Sequence, residues 1–340
     1  MKRFLLIIAA IAISLGTDAR KDGYKYYPAT DLRPDRTVFL YVPSQKEARA
    51  ALKSIPDPVH AKNAETLALT PAEENGFCGQ EQMVDPNGAT VCISEWARFD
   101  LYFPAECNGK MIIVLPGGGY NCVCGHIEGV YAADWLKEHG YAVAVVKYRL
   151  PNGHPAIPLA DVQAVMRYCR SQQQEWGVTS LGVMGFSAGG HLAATALTLY
   201  DDVTTRPDFG VLFYPVIYLD GPYAHSYCTG KLLGDVNTRR SENAAALEND
   251  LLRYTPANLV TRDTPPTFII LSSDDAEVNP QNSLLFYEKL LSCGVSAELH
   301  MMRHGIHGFG FDYYKFNSDD VLFEARDNMF DCLSRWLLER

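Results

Sequence analysis

Gly185-Phe186-Ser187-Ala188-Gly189-Gly190 is the stretch from which the rest of this sequence is best read. The apolar run Leu181–Met184 precedes it and the helix-like run His191–Leu199 follows it. Strand, turn and helix in that order are the setting in which Gly-x-Ser-x-Gly forms a sharp elbow. A side chain at Gly185 or Gly189 would collide with the neighbouring strand or helix, and the serine backbone is expected to be strained. Ser187 is thereby placed at the tip of a sheet, beside a helix N-terminus whose dipole favours negative charge.

Outward from this elbow, strand-like and helix-like segments alternate. Upstream lie a short buried strand at Met111–Leu115, a helix at Glu128–His139 closed by Gly140, and a valine-rich strand at Tyr141–Tyr148. A helix at Asp161–Trp176 follows, with Asp161 as its N-cap and Gly177 past its end. Downstream come Phe209–Tyr214, Thr267–Leu271, Pro280–Cys293, Val295–Met302 and a last helix near Val321–Leu338. This is the pattern of βαβ crossovers, an α/β fold with a mainly parallel central sheet and helices on both faces. Arg98–Phe103 alternates like an antiparallel strand. Residues 20–90 carry prolines and weak periodicity and read as an N-terminal extension to a catalytic domain over 91–340. Residues 218–260 interrupt the rhythm, where a lid or substrate-facing insertion falls.

A serine hydroxyl needs a base, and the base needs a partner that orients it. Thr267–Leu271 ends at Ser272-Ser273-Asp274-Asp275, which puts a carboxylate past the end of a parallel strand. His304-Gly305-Ile306-His307-Gly308-Phe309-Gly310 follows, and its glycines let a loop carry His307 toward the serine. Ser187 is assigned as nucleophile, His307 as base and Asp274 as the orienting carboxylate, with Asp275 its close competitor and His304 a weaker rival to His307. Pro116-Gly117-Gly118-Gly119-Tyr120 directly follows the strand Met111–Leu115. Its open backbone suits Gly118 and Gly119, with the N–H of Ala188, to receive a tetrahedral oxyanion. Tyr120 is a candidate for lining the pocket. Glu128 and His126 either face the substrate or cap the next helix. His300, His304 and His307 lie on a strand and a glycine-rich loop rather than one helical face, which argues against a metal site, and no phosphate-loop signature is present.

On these residues the chain resembles the α/β-hydrolase-fold serine esterases, in particular bacterial acetylxylan esterases and bifunctional feruloyl and acetyl-xylan esterases. The likeness runs from about Trp96 to the C-terminus. It rests on Gly185–His191, Pro116–Tyr120, Glu128-Gly129, Lys147–Pro151, Pro158–Asp161, Asn282–Tyr287 and His307–Gly310. Proline stands ahead of the glycines where many lipases and esterases carry histidine, a change that leaves a backbone role intact. The resemblance implies removal of acetyl groups from plant polysaccharide such as xylan through an acyl-enzyme, without metal or organic cofactor. Feruloyl or short-chain carboxylesterase activity is the nearest alternative. A peptidase or a catalytically silent binding module on the same scaffold is more distant. Arg149 and Asp161 are expected to pair as a structural tie.

Residues 1–19 read as a secretory signal, with Lys2-Arg3, the apolar Phe4–Leu15 and Thr17-Asp18-Ala19 in order, so an exported protein without a membrane anchor is expected. A formal net charge of −10 and the lack of any dense Lys/Arg run disfavour nucleic acid and anionic membranes as partners. The nine cysteines are an odd number, so at least one stays unpaired within the chain. A bridge among Cys78, Cys92 and Cys107 is compatible with export, but spacing does not fix the pairing.

Overall fold

The computed structural model describes residues 32–71, 79–85, 88–311 and 321–340, with side chains of the last helix from 328 onward. The expected signal at 1–19 and Cys78 lie outside the described residues. Among those described, no helix is long and apolar enough to cross a membrane.

Twelve strands are described: β1 Arg36–Phe39, β2 Ala64–Thr66, β3 Gln82–Met83, β4 Ala89–Val91, β5 Arg98–Tyr102, β6 Lys110–Leu115, β7 Val123–Cys124, β8 Ala142–Lys147, β9 Ser180–Phe186, β10 Phe209–Phe213, β11 Thr267–Ser272 and β12 Ala297–Met302. Nine of them form one sheet in the order β12-β11-β10-β9-β6-β8-β5-β1-β2. From β12 to β8 all neighbours are parallel, while β5 runs antiparallel to both β8 and β1. The central strands are buried on both sides, as a parallel sheet covered by crossovers requires. Successive residues of β6 show this. Met111, Ile113 and Leu115 join a cluster with Val162, Val165, Leu192 and Leu197, whereas Ile112 and Val114 join one with Ala132, Leu136, Leu333 and Leu337. The first face is covered by α3 (Ala156–Ser171) and α5 (Ser187–Thr198), the second by α2 (Tyr131–Glu138) and α9 (Val321–Leu338).

Two local expectations need correction. The helix at Asp161–Trp176 begins earlier, at Ala156, and ends at Ser171, followed by the short α4 (Gln173–Trp176). Asp161 is therefore a second-turn residue and not the N-cap. Its carboxylate accepts from the Arg149 backbone N–H at 2.8 Å and from the guanidinium at 2.7 and 2.9 Å, the expected structural pair. The helix expected from Glu128 starts as a wide π-turn, His126–Val130, in which Val130 N–H reaches back to Gly125 O at 3.0 Å. Such widened turns redirect side chains and recur at functional sites.

Residues 36–66 are bound into the sheet. β1 pairs with β5 and β2 with β1, and α1 (Gln45–Ser54) packs Ala48, Ala51 and Leu52 against Phe39, Val42 and Ile55. Ser44 caps α1 through the Glu47 N–H. Beneath this segment the buried Asp57 carboxylate accepts from Lys147 Nζ at 2.6 Å and from His126 Nε2 at 2.9 Å. Lys147 also reaches Asp100 at 2.9 Å, and Thr37 bonds the same carboxylate. Burial opposes the Asp57 charge, yet Lys147 and His126 hold its carboxyl well below the usual carboxylate range. The interval 218–260 holds α6 (Ser226–Leu233), α7 (Val236–Tyr254), which is kinked at Asn243, and a 3-10 turn at Pro256–Asn258, ahead of β11.

Candidate active site

The strand order reverses between β6 and β9, since β8 lies on one side of β6 and β9 on the other. In open α/β sheets the crevice at the C-terminal ends beside such a reversal is where ligands are held. The turns that leave β6, β9, β10, β11 and β12 there carry Pro116–Tyr120, Ser187, Tyr214, Asp275 and His307.

Ser187 follows β9 with φ 52°, a left-handed conformation that costs a non-glycine residue about 1–3 kcal/mol and is held by its surroundings. A Cβ on Gly185 would press on Ala193 at 2.7 Å, and one on Gly189 would press on the Pro116 carbonyl at 2.5 Å. Only glycine lets strand, turn and helix close this tightly. Ser187 Oγ lies 2.8 Å from His307 Nε2, and His307 Nδ1 lies 2.7 Å from Asp275 Oδ2. A carboxylate only accepts, so Nδ1 carries the proton and donates to Asp275, which leaves Nε2 to accept from the serine hydroxyl. The Asp275 side chain is 2% exposed and that of His307 19%, so the carboxylate is shielded while the ring meets the crevice.

Asp274, the preferred orienting carboxylate on sequence grounds, does not face His307. It accepts from the backbone N–H groups of Gly305 and Ile306 at 3.0 Å each and lies 3.3 Å from His304 Nδ1. Burial works against its charge, but the Ile306, His304, Gly305 and Ser272 hydrogen bonds outweigh it and hold the carboxyl below its ordinary value. Asp274 thus braces the backbone that carries His307. Asp275 Oδ1 accepts from Glu277 and Val278 N–H at 2.9 Å each, a local turn that leaves Oδ2 for the imidazole. His300, His304 and His307 bond three different carboxylates, those of Glu298, Asp274 and Asp275.

The glycine loop lies against the elbow: a Cβ on Gly117 would sit 2.9 Å from Ser187 Cβ. The Gly117 carbonyl accepts from Cys124 N–H at 3.0 Å, and the Gly118 carbonyl accepts from Asn121 and Cys122 N–H at 3.0 and 3.2 Å. In a planar trans peptide the carbonyl and the following N–H point opposite ways. Both carbonyls are turned into their own loop, so the N–H groups of Gly118 and Gly119 face away from it. Among the described residues neither donates to a protein acceptor. Ala188 N–H, in the first turn of α5, has no acceptor within the helix.

The two side chains expected to contact substrate are both turned inward. Tyr120 is 1% exposed, and its hydroxyl bonds His191 Nδ1 at 2.9 Å. His191 in turn donates from Nε2 to the Tyr254 carbonyl at 2.8 Å, tying the end of α7 to the serine helix. Burial pushes the His191 pKa down to about 4, against the opposing pull of that carbonyl. Glu128 is 5% exposed and accepts from Gly117 N–H at 2.7 Å and from the Tyr214 hydroxyl at 2.9 Å. Both are supports of the site rather than its lining. Side chains that do reach it come from the 218–260 insertion, which sequence reading left without named residues. A Cβ on Gly119 would meet the half-buried Tyr227 ring at 3.1 Å. Burial, and next the charge of His307, lower the pKa of the half-buried His225.

Comparison with known proteins agrees with the fold. A family model described as alpha/beta hydrolase fold matches residues 113–311, more than half of the chain. An acetylxylan esterase from Xylanibacter ruminicola is 33% identical over 245 residues, covering 71% of this chain and 48% of the relative. Endo-1,4-beta-xylanase B from Butyrivibrio fibrisolvens is 30% identical over 213 residues, 58% of this chain and 32% of the relative. The chain therefore spans about half, or less, of these relatives. Among solved structures, an acetyl ester-xyloside bifunctional hydrolase from Caldicellulosiruptor lactoaceticus superposes with a TM-score of 0.59 at 32% identity, covering 72% of this chain and 88% of that one. A sugar hydrolase from Lactococcus lactis gives 0.59 at 26% identity, with 76% and 98% covered. The nine-stranded sheet, the serine elbow and the matched family model together place the chain in the alpha/beta hydrolase fold family.

Proposed function

We propose that this protein is an exported serine esterase that removes acetyl groups from plant polysaccharide such as xylan. The observation that carries the reading is the continuous relay from Ser187 Oγ through His307 to Asp275, at 2.8 and 2.7 Å. Ser187 attacks the acetyl carbonyl as His307 takes its proton. The oxyanion settles on the N–H groups of Gly118, Gly119 and Ala188, where each donor typically contributes about 3 kcal/mol to barrier lowering. Collapse returns the proton from His307 to the departing sugar hydroxyl and leaves an acetyl ester on Ser187. Water deprotonated by His307 then attacks that ester; the bond from the acetyl carbon to Ser187 Oγ breaks, His307 returns the proton to Oγ, and acetate leaves. Asp275 keeps the imidazole in the required tautomer and stabilises its charged form.

The acetylxylan specificity is supported by the likeness to the xylan-directed relatives and by the acidic surface, which suits a neutral glycan better than an anion. Export is supported by the basic and apolar pattern of residues 1–19. Tyr227 and His225 are proposed to face the sugar. The test is acetate release from acetylated xylo-oligosaccharides, run beside Ser187→Ala and beside methyl ferulate. Release abolished in the variant is expected. Turnover of methyl ferulate or a small aryl acetate alone would move the substrate assignment, and unchanged hydrolysis by Ser187→Ala would remove the site assignment.

A further inference from the structure

One buried carboxylate joins the two loops that must cooperate in this site. Glu128 Oε2 accepts from Gly117 N–H at 2.7 Å, and Oε1 accepts from the Tyr214 hydroxyl at 2.9 Å. The Tyr214 oxygen accepts in turn from Gly310 N–H at 3.0 Å. Gly117 opens the glycine loop, and Gly310 closes the loop that carries His307. The Tyr214 ring also packs edge-on against His307, with centroids 4.8 Å apart at 64°.

The backbone at Tyr214 is arranged around this contact. Its φ is 36°, a conformation that side chains rarely adopt, and its N–H donates to the Ile270 carbonyl at 2.6 Å. Two residues on, Val216 N–H donates to the Ser187 carbonyl at 3.1 Å. The turn after β10 therefore touches the nucleophile, the base and, through Glu128, the donor loop. The π-turn at His126–Val130 aims Glu128 into this space. Strain at a residue that packs on His307 and is bonded to Glu128 and Gly310 is expected where position is being fixed.

We propose that Glu128 and Tyr214 form one positioning unit that sets the Gly118 and Gly119 donors and the His307 ring relative to each other. The proposal rests on the reading of Ser187, His307 and those glycines as the reacting groups. Neither residue touches substrate. Gly117 lies close against both elements, since a Cβ there would meet Phe186 O at 2.6 Å and Glu128 Oε2 at 2.9 Å. Loss of the carboxylate releases the Gly117 amide, and the peptides that follow it rotate. Loss of the hydroxyl releases Gly310, and the histidine loop moves relative to a donor loop still held by Glu128.

The experiment is steady-state hydrolysis of a small aryl acetate by Tyr214→Phe, Glu128→Gln, Glu128→Ala and the Glu128→Ala/Tyr214→Phe double variant, with thermal unfolding of each. A displacement of about 1 Å in such a site lowers rate about 100-fold. Glu128→Ala is expected to lose about that factor in kcat with KM little changed. Tyr214→Phe is expected to lose about 10-fold, and Glu128→Gln, which keeps one acceptor oxygen, falls between wild type and Glu128→Ala. The double variant should match Glu128→Ala within about threefold, since removing the carboxylate already breaks the single link between the two loops. Folded variants with wild-type kcat, a loss confined to KM, or losses that multiply would overturn the proposal. If Glu128→Ala does not fold, Tyr214→Phe and Glu128→Gln decide on kcat alone. Ser187→Ala separates the two levels: residual turnover there removes the underlying site reading, whereas a dead Ser187→Ala beside fully active Glu128 and Tyr214 variants removes only the positioning unit.

Discussion

Asp57 and His126 meet at 2.9 Å where the N-terminal segment packs onto the domain, and Asp275 and His307 meet at 2.7 Å at the mouth of the sheet. The contacts are chemically alike and their surroundings are not. Asp57 and His126 are fully buried, and the carboxylate is shared with the ammonium of Lys147. At the other pair the ring is partly open, and its second nitrogen meets a serine hydroxyl on a strained turn. A buried carboxylate shared by a histidine and a lysine is fixed by both and kept from solvent. A shielded carboxylate behind a ring that faces an alcohol and open space can steady a proton in transit. The third partner and the access of solvent, rather than the Asp–His contact, distinguish a brace from the proposed reaction centre.

The largest expected effect breaks the second pair. Asp275→Asn presents an N–H to His307 Nδ1, favours the wrong tautomer, and should lower kcat by about 10⁴-fold on any ester the enzyme accepts. Steady-state rates of the folded variant check it. The first pair should fail differently. Asp57→Ala leaves Lys147 and His126 buried without their shared carboxylate and should destabilise by about 3–5 kcal/mol, read by denaturant unfolding, while kcat of the folded fraction changes far less than in Asp275→Asn.

A third histidine sharpens the contrast because it is held neutral. Native His191 titrates at about 4, whereas the unfolded chain takes up the proton near 6.5. Between these values the unfolded state binds more protons, so stability falls as pH drops from about 6.5 to about 4, by at most about 3 kcal/mol. Above that window the term vanishes. Unfolding free energies across it, with His191→Gln lacking this step, provide the check. The smallest effect belongs to Asp274→Asn, which weakens partly exposed hydrogen bonds to the His307 loop. It should cost about 0.5–1 kcal/mol of stability and leave kcat within about threefold of wild type.

The parts of the molecule that were legible in the sequence are those where one physical constraint governs many residues. Apolar runs buried on both faces gave the central strands, from Met111–Leu115 to Thr267–Leu271, and the two glycines around Ser187 gave the elbow, because no other residue fits there. The Asp274–Asp275 choice depends on two turn N–H groups, those of Glu277 and Val278, which fix one Asp275 oxygen and aim the other at His307. Nearness to the strand end pointed to the wrong neighbour. Residue type does not separate the two, since an aspartate at either position can bond the N–H groups two and three residues ahead, and it is the fold that makes this turn at Asp275. Tyr120 and Glu128 sit beside the glycine loop in sequence, but the positive φ of Tyr120 and the π-turn at Glu128 send both inward, and neither conformation is written in residue type. The strands at 36–39 and 64–66 are too short for periodicity to show, and they attach through pairing with the distant β5 and a buried contact between residues as far apart as Asp57 and Lys147.

Covalent trapping of the serine tests the central claim most directly. The protein is incubated with a fluorophosphonate, and the adduct is located by peptide mass mapping. A single adduct on Ser187 is predicted, formed as fast in Asp274→Asn as in wild type and strongly slowed in Asp275→Asn. An adduct elsewhere, or a wild-type rate in Asp275→Asn beside a slow Asp274→Asn, would contradict the account.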